Sequence, residues 1–193
     1  MGKMVMYIKN AIFQGPPADA ESRIEKEKKC YHLLADNKIP FTGIDHDHAD
    51  TIELCKEVEE KLQCKICKNL FLTNRQMTDF YLLLMPGDKI FKTKFLSKAL
   101  GVSRLSFANA DQMLELLNIT PGSVSILGLM NDTGKKVRLL MDRDLLSDEY
   151  LGCHPCINTS TLKIRMDDVI HLLIPALGHE ITFVELPWES IEE

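Results

Sequence analysis

Two apolar runs, residues 66–73 and 79–84, flank the polar turn Asn74-Arg75-Gln76 and constrain the fold more than any other feature of the chain. Runs of this length, broken by turn-forming residues, predict two strands joined as a hairpin with a loop of several residues. The first run carries two polar residues at its mouth, in Cys67-Lys68-Asn69-Leu70-Phe71-Leu72. Lysines are seldom fully buried without a partner, because removing the charge from water is costly. Lys68 therefore either snorkels at a strand end or holds a ligand.

The rest of the chain mixes helices and strands around this hairpin. Residues 1–17, ending in Gly15-Pro16-Pro17, read as a short extension with one edge strand, and 18–193 as a single domain. Residues 18–37 follow a helical pattern with Ile24, Tyr31, Leu33 and Leu34 on the apolar stripe. Phe41 to His46 reads as a strand. Asp50-Thr51-Ile52-Glu53 has the form of a capping box and starts a helix that runs to Leu62, burying Ile52, Cys55 and Val58. Further helices are expected over 95–100, closed by Gly101, and over 111–117. Another is expected over 167–177, where Pro175 distorts the last turn and Gly178 stops it. Strands are expected over 137–141, 161–164 and 181–186. The lack of strict βαβ alternation favours an α+β fold with a mixed, curved, barrel-like sheet surrounded by helices.

Several function classes are excluded or weakened. A net charge of −5 gives no global basic field, so nucleic-acid contact needs local patches. Lys89, Lys92, Lys94, Lys98 and Arg104 form one such group, and Lys135, Lys136, Arg138 and Arg143 a second; for either, a solvated face is the default. No apolar run reaches the length of a membrane span and no secretory signal pattern is visible, so a cytosolic setting is expected. In that setting the six cysteines read as thiols rather than a disulfide frame. Cys64/Cys67 and Cys153/Cys156 form two CxxC pairs, but their separation is far outside zinc-ribbon spacing and no clear helix follows Cys156. Asp45-His46-Asp47-His48-Ala49-Asp50 reads as a polar strand-to-helix turn before a metal cluster, with His46 a candidate to line a pocket. No metal and no cofactor are expected. P-loop, dinucleotide glycine and Gly-x-Ser-x-Gly patterns are absent.

Read together, the motifs resemble the YbaK/ProX editing-domain family. Cys67-Lys68-Asn69-Leu70-Phe71-Leu72 and Phe80-Tyr81-Leu82-Leu83 carry the resemblance. They are followed in order by Leu105-Ser106-Phe107-Ala108, Pro121-Gly122-Ser123-Val124-Ser125, Asn131-Asp132, His154-Pro155 with Asn158-Thr159, and Gly178-His179. The resemblance covers roughly residues 22–186 and is strongest to the freestanding branch related to the prolyl-tRNA synthetase editing domain. It implies a mixed, barrel-like sheet and the removal of alanine mischarged onto tRNA(Pro); a sister branch removes cysteine.

By the same resemblance, Lys68 is the lysine needed for activity and Asn69 helps hold the aminoacyl end. Gly152, Cys153, His154 and Pro155 match a glycine–proline loop that shapes the pocket, with His154 near the substrate and Asn158 following. The glycine is one residue closer to the proline than in the synthetase-linked domains, and neither Cys153 nor Cys156 has a family role of its own. The implied partner is the acceptor end of aminoacylated tRNA(Pro), with transient contact to prolyl-tRNA synthetase or an elongation factor, and the chain is expected to be a monomer. Two alternatives stay open: deacylation of Cys-tRNA(Pro) or another small aminoacyl-tRNA, and a non-catalytic module that binds amino acids or aminoacyl groups. An aminoacyl ester is already activated, so hydrolysis needs a positioned water, donors for the oxyanion and a grip on the terminal adenosine, with no catalytic triad.

Overall fold

The computed structural model describes residues 8, 11–48 and 52–188, with side chains of 52–54 outside that description. The capping-box expectation at Asp50 and Thr51, and the burial of Ile52, lie outside the described residues.

The hairpin forms as the sequence predicts. Strands β3 (Lys68–Thr73) and β4 (Phe80–Met85) pair antiparallel, with Lys68 opposite Met85 and Thr73 opposite Phe80. They sit inside a five-stranded sheet of order β5-β3-β4-β6-β9, completed by β5 (Ser106–Phe107), β6 (Val137–Asp142) and β9 (Ile181–Val184). β6 is parallel to both β4 and β9, so this sheet is mixed. A second, four-stranded sheet of order β1-β2-β8-β7 is wholly antiparallel. Its strands are β1 (Phe13–Gln14), β2 (Phe41–Asp45), β7 (Tyr150–Cys153) and β8 (Ser160–Arg165).

The main core lies between the sheets. Phe71, Leu82, Leu84, Leu139 and Met141 face it from one side, and Phe41, Leu151, Leu162 and Ile164 from the other. Helix α1 (Glu25–Asp36) adds Cys30, Tyr31 and Leu34. The alternate residues of the five-stranded sheet, among them Leu72, Tyr81, Leu83 and Leu140, face outward. They are covered by Leu96 of α3 (Thr93–Leu100) and by Leu105. Val58 and Leu62 of α2 (Ile52–Leu62) cover Ile44 on the back of the other sheet. Both sheets are therefore buried on two faces, which explains why their strands read as apolar runs rather than clean alternation.

The sheets meet at one seam rather than closing into a barrel. Cys67 N–H donates to the Gly152 carbonyl at 3.1 Å, and Gly152 N–H to the Lys65 carbonyl at 3.0 Å, a parallel bridge just before β3. Two glycines make room for this strand entry. A Cβ on Gly152 would stand 2.6 Å from the Lys65 carbonyl oxygen, and one on Gly87 would stand 2.4 Å from that of Ile66. The backbone of 65–66 is thus threaded between two positions that tolerate no side chain.

Some boundaries differ from expectation. The first helix starts at Glu25, preceded by a separate short turn at Ala20–Ser22, because Arg23 and Ile24 are extended. Arg23 is held there by Asp45, at 2.6 Å, and Glu27, at 2.7 Å, and Ile24 is exposed rather than on the apolar stripe. Helix α4 (Ala110–Leu117) is fixed by a capping box between Asn109 and Gln112. Toward the C-terminus, α5 (Met166–Asp168) passes into a π-helical turn at Val169–Leu173 before α6 (Ile174–Ala176). Pro175 has no N–H to return to the His171 carbonyl, so the distortion lies one turn earlier than expected. No helix among the described residues is long and apolar enough to cross a membrane.

Candidate active site

Where the threaded entry segment becomes β3, a cavity of about 490 Å³ opens, lined by Lys68, Asn69, Cys67 and His154 together with Gly122 and Val124. That size is within the ordinary range for small-molecule sites. Lys68 and Asn69 are consecutive on a strand, so their side chains leave on opposite faces. They share the cavity because they stand at the strand's open end.

Lys68 is half-buried, and its Nζ donates to the Lys89 carbonyl oxygen at 2.7 Å. Burial lowers its pKa from the ordinary lysine value, against a smaller opposing effect from Asp88. An ammonium has three donors, and this one uses a single one on Lys89. Its remaining donors stand beside the cavity.

Lys89 was grouped with the surface basics by sequence, and it does not belong there. It is fully buried, and its Nζ binds Asp142 Oδ2 at 2.7 Å and Asp144 Oδ2 at 2.8 Å, with the Trp188 ring 5.0 Å away. Burial works against its charge, but the two carboxylates outweigh that and raise its pKa. This clamp fixes residue 89, and so the carbonyl that holds Lys68.

Asn69 is anchored at both ends of its amide. Its Nδ2 donates to Cys67 O and approaches Cys67 Sγ, each at 3.2 Å, and its Oδ1 accepts from Ile126 N–H at 3.0 Å. It ties the β3 entry to the 122–126 wall of the cavity.

His154 is held by Ser160, whose carbonyl oxygen lies 2.8 Å from Nδ1. A carbonyl only accepts, so Nδ1 carries the proton and Nε2 is left as the acceptor. Burial depresses the His154 pKa to about 4, so the ring is neutral at physiological pH. A group that acidic in its protonated form is a poor general base near neutrality, but a sound acceptor for a cationic amine.

The six cysteines are free thiols. Burial pushes Cys67 and Cys64 up to about 12 and also raises Cys153 well above the ordinary thiol value, so none of the three is a thiolate at neutral pH. Among the described residues, no three His, Cys, Asp or Glu side chains are grouped to hold a metal ion.

Residues 46–172 match the family model described as an aminoacyl-tRNA editing domain. The prolyl-tRNA editing protein ProX of Acetoanaerobium sticklandii is 31% identical over 153 residues, covering 79% of this chain and 93% of that protein.

This chain belongs to the aminoacyl-tRNA editing domain family.

Prolyl-tRNA synthetase associated domain-containing protein 1 of Danio rerio is 29% identical over 156 residues, covering 80% of this chain and 84% of that protein. A crystal structure described as a candidate trans-editing enzyme for prolyl-tRNA synthetase superposes with a TM-score of 0.64 at 13% identity, covering 86% of this chain and 99% of that one. That likeness concerns the fold. Family membership makes this chain an aminoacyl-tRNA deacylase.

The other residues singled out from the sequence lie around this cavity rather than on its wall. Gly152 and Cys153 are in β7, not in a loop, and both backbone polar groups of Gly152 are engaged at the seam. Cys153 and Pro155 are buried. Asn158 is buried, and its Oδ1 accepts from His48 Nδ1–H at 2.6 Å. His46 is buried in a separate depression with Arg23 and Asp45, and its Nε2 lies 2.8 Å from Thr161 Oγ1. Its ring centroid is 6.1 Å from that of His154, and Thr161 Oγ1 is 3.3 Å from His154 Nδ1, so His46 stands behind His154. Sequence reasoning did not single out Lys56, Glu59, Lys65, Gly87 or Asp88, which also line the cavity. Glu59 Oε1 accepts from Ile66 N–H at 2.7 Å and secures the same entry segment.

Proposed function

We propose that this deacylase hydrolyses Ala-tRNA(Pro), releasing alanine and sparing Pro-tRNA(Pro). The observation that carries the reading is the convergence of Lys68 and His154 on one cavity, at the end of a strand whose entry is fixed from three sides. The name of the bacterial relative, a prolyl-tRNA editing protein, supports the tRNA assignment.

In this mechanism the terminal adenosine and its aminoacyl group enter the cavity. Lys68 supplies a charged donor to the oxygen-rich end of the substrate, where negative charge develops at the ester carbonyl. His154 Nε2 accepts from the α-ammonium of alanine. Asn69 holds the 122–126 wall in place, and water attacks the activated ester without a covalent intermediate. Selectivity comes from steric exclusion. Distinguishing a missing methylene by contact alone is worth only about 1–3 kcal/mol, so the reading requires the aminoacyl end of the cavity to reject a pyrrolidine ring by steric clash. Contact with prolyl-tRNA synthetase or an elongation factor would follow charging and be transient.

The test is a deacylation panel of Ala-tRNA(Pro), Cys-tRNA(Pro) and Pro-tRNA(Pro). Rapid release of alanine with proline retained is expected. Preferential release of cysteine would move the chain to the cysteine-editing reading, and comparable hydrolysis of Ala- and Pro-tRNA(Pro) would sink the sieve.

A further inference from the structure

A second concavity, of about 670 Å³, lies on the outer side of the five-stranded sheet. Phe91, Lys92, Lys94, Arg104 and Phe107 supply its character. Lys92, Lys94 and Arg104 are exposed cations, and no acidic side chain lines the groove among the described residues. Phe107, on the edge strand β5, is 57% exposed, and its ring meets that of Phe91 edge-on at 5.9 Å between centroids. The other face of β5 has no need of this ring: its backbone pairing to Leu72 and Thr73 already fixes it. An exposed phenylalanine backed by a half-buried one and set among three cations, on a chain with net charge −5, is the composition of a stacking platform with phosphate contacts.

The groove is close to the editing cavity. Gly87 and Asp88 line the cavity, and Phe91 and Lys92 line the groove, along one continuous loop. Phe91 is three positions after Asp88, so their Cα atoms are at most about 11 Å apart even if the chain is fully extended. Lys68 is bound to residue 89, in the middle of that loop. The two concavities therefore adjoin along this loop.

We infer that this groove binds unpaired RNA, stacking a base on Phe107 and placing phosphates against Lys92, Lys94 and Arg104. The inference deepens the tRNA-deacylase reading and rests on it for the identity of the strand: the unpaired nucleotides that precede the acylated adenosine. Base–aromatic stacking tolerates any base, so the groove would supply grip and direction, leaving discrimination to the cavity.

The test is binding of a fluorescently labelled, unpaired RNA oligonucleotide ending in CCA to the full chain, followed by anisotropy across a salt series. Phe107→Ala should weaken binding roughly fivefold or more, and Phe107→Trp should restore it, because the indole retains a stacking face. Arg104→Ala should reduce the slope of log affinity against log salt by about 0.7, the value for one phosphate contact on a single strand. Unchanged affinity in Phe107→Ala, or tighter binding of an RNA duplex of equal length, would overturn the inference. RNA binding that follows these variants in a protein that deacylates none of the charged tRNAs would leave the groove standing and reject the deacylase reading, so the two failures are distinguishable.

Discussion

Lys68 and Lys89 are two buried or half-buried lysines joined by one hydrogen bond, yet they do opposite work. Lys89 is fully enclosed, paired with Asp142 and Asp144, and its pKa is raised. Lys68 is only half-buried, has a carbonyl for a partner, and its pKa is lowered. The better-buried lysine is the structural one. What sets Lys68 apart, and carries its proposed role, is not depth but incomplete satisfaction beside a cavity, with a rigid neighbour to aim it. A charge that is fully compensated stabilises a fold; one that is partly compensated is available to a substrate.

The sharpest way to break this contrast is to remove the two charges separately. Removing one member of a buried ion pair strands the other, at a cost of about 3–5 kcal/mol. Lys89→Met should therefore lower the unfolding free energy by that amount and bring the urea midpoint down with it, whereas Lys68→Met should leave the midpoint nearly unchanged. Equal midpoints in the two variants would mean that the clamp around residue 89 is not structural.

The next effect concerns His154. Its folded pKa is near 4 against an ordinary 6.5, so between those values the unfolded chain takes up a proton that the folded chain refuses. Stability should therefore fall as pH drops through that window, level off below it, and be fully present above 6.5. A depression of this size corresponds to about 3 kcal/mol. Urea unfolding of wild type and His154→Gln across the window checks it; a slope that survives the substitution would assign the effect to other groups.

Asn69 gives the smallest expected change. Asn69→Ala leaves the Ile126 N–H without its acceptor, which should cost about 1–3 kcal/mol. Because Asn69 holds the cavity wall, deacylation should fall with it. A loss of activity with an unchanged urea midpoint would instead place the amide on the substrate.

Local features of the fold were legible where local chemistry decides. The β3–β4 hairpin and the Gly101 helix end follow from apolar runs and turn residues, and Gly101 has the left-handed φ of +65° expected of such a cap. β7 was missed because Tyr-Leu-Gly-Cys is short and contains a glycine that reads as a loop; only the approach of Lys65 and Ile66, far away in sequence, explains that glycine. β5 is two residues long and carries no period. The start of α4 had a readable signal, Asn109-Ala-Asp-Gln112, that was passed over. Lys89 was placed on a basic surface because its carboxylate partners lie more than fifty positions downstream, at Asp142 and Asp144. Lys68 stands out by its place at the mouth of an apolar strand and His154 through family resemblance, and the cavity they share depends on two glycines and a seam that no local pattern announces.

The central claim is that Lys68 acts on the substrate rather than on the fold. The most direct measurement is single-turnover deacylation of Ala-tRNA(Pro) by Lys68→Ala beside wild type, with urea midpoints taken on the same preparations. Loss of a charged donor aimed at a developing oxyanion predicts a rate lower by about 10²-fold or more, with the midpoint preserved. A wild-type rate in the variant, or a rate that falls only in step with stability, would contradict it.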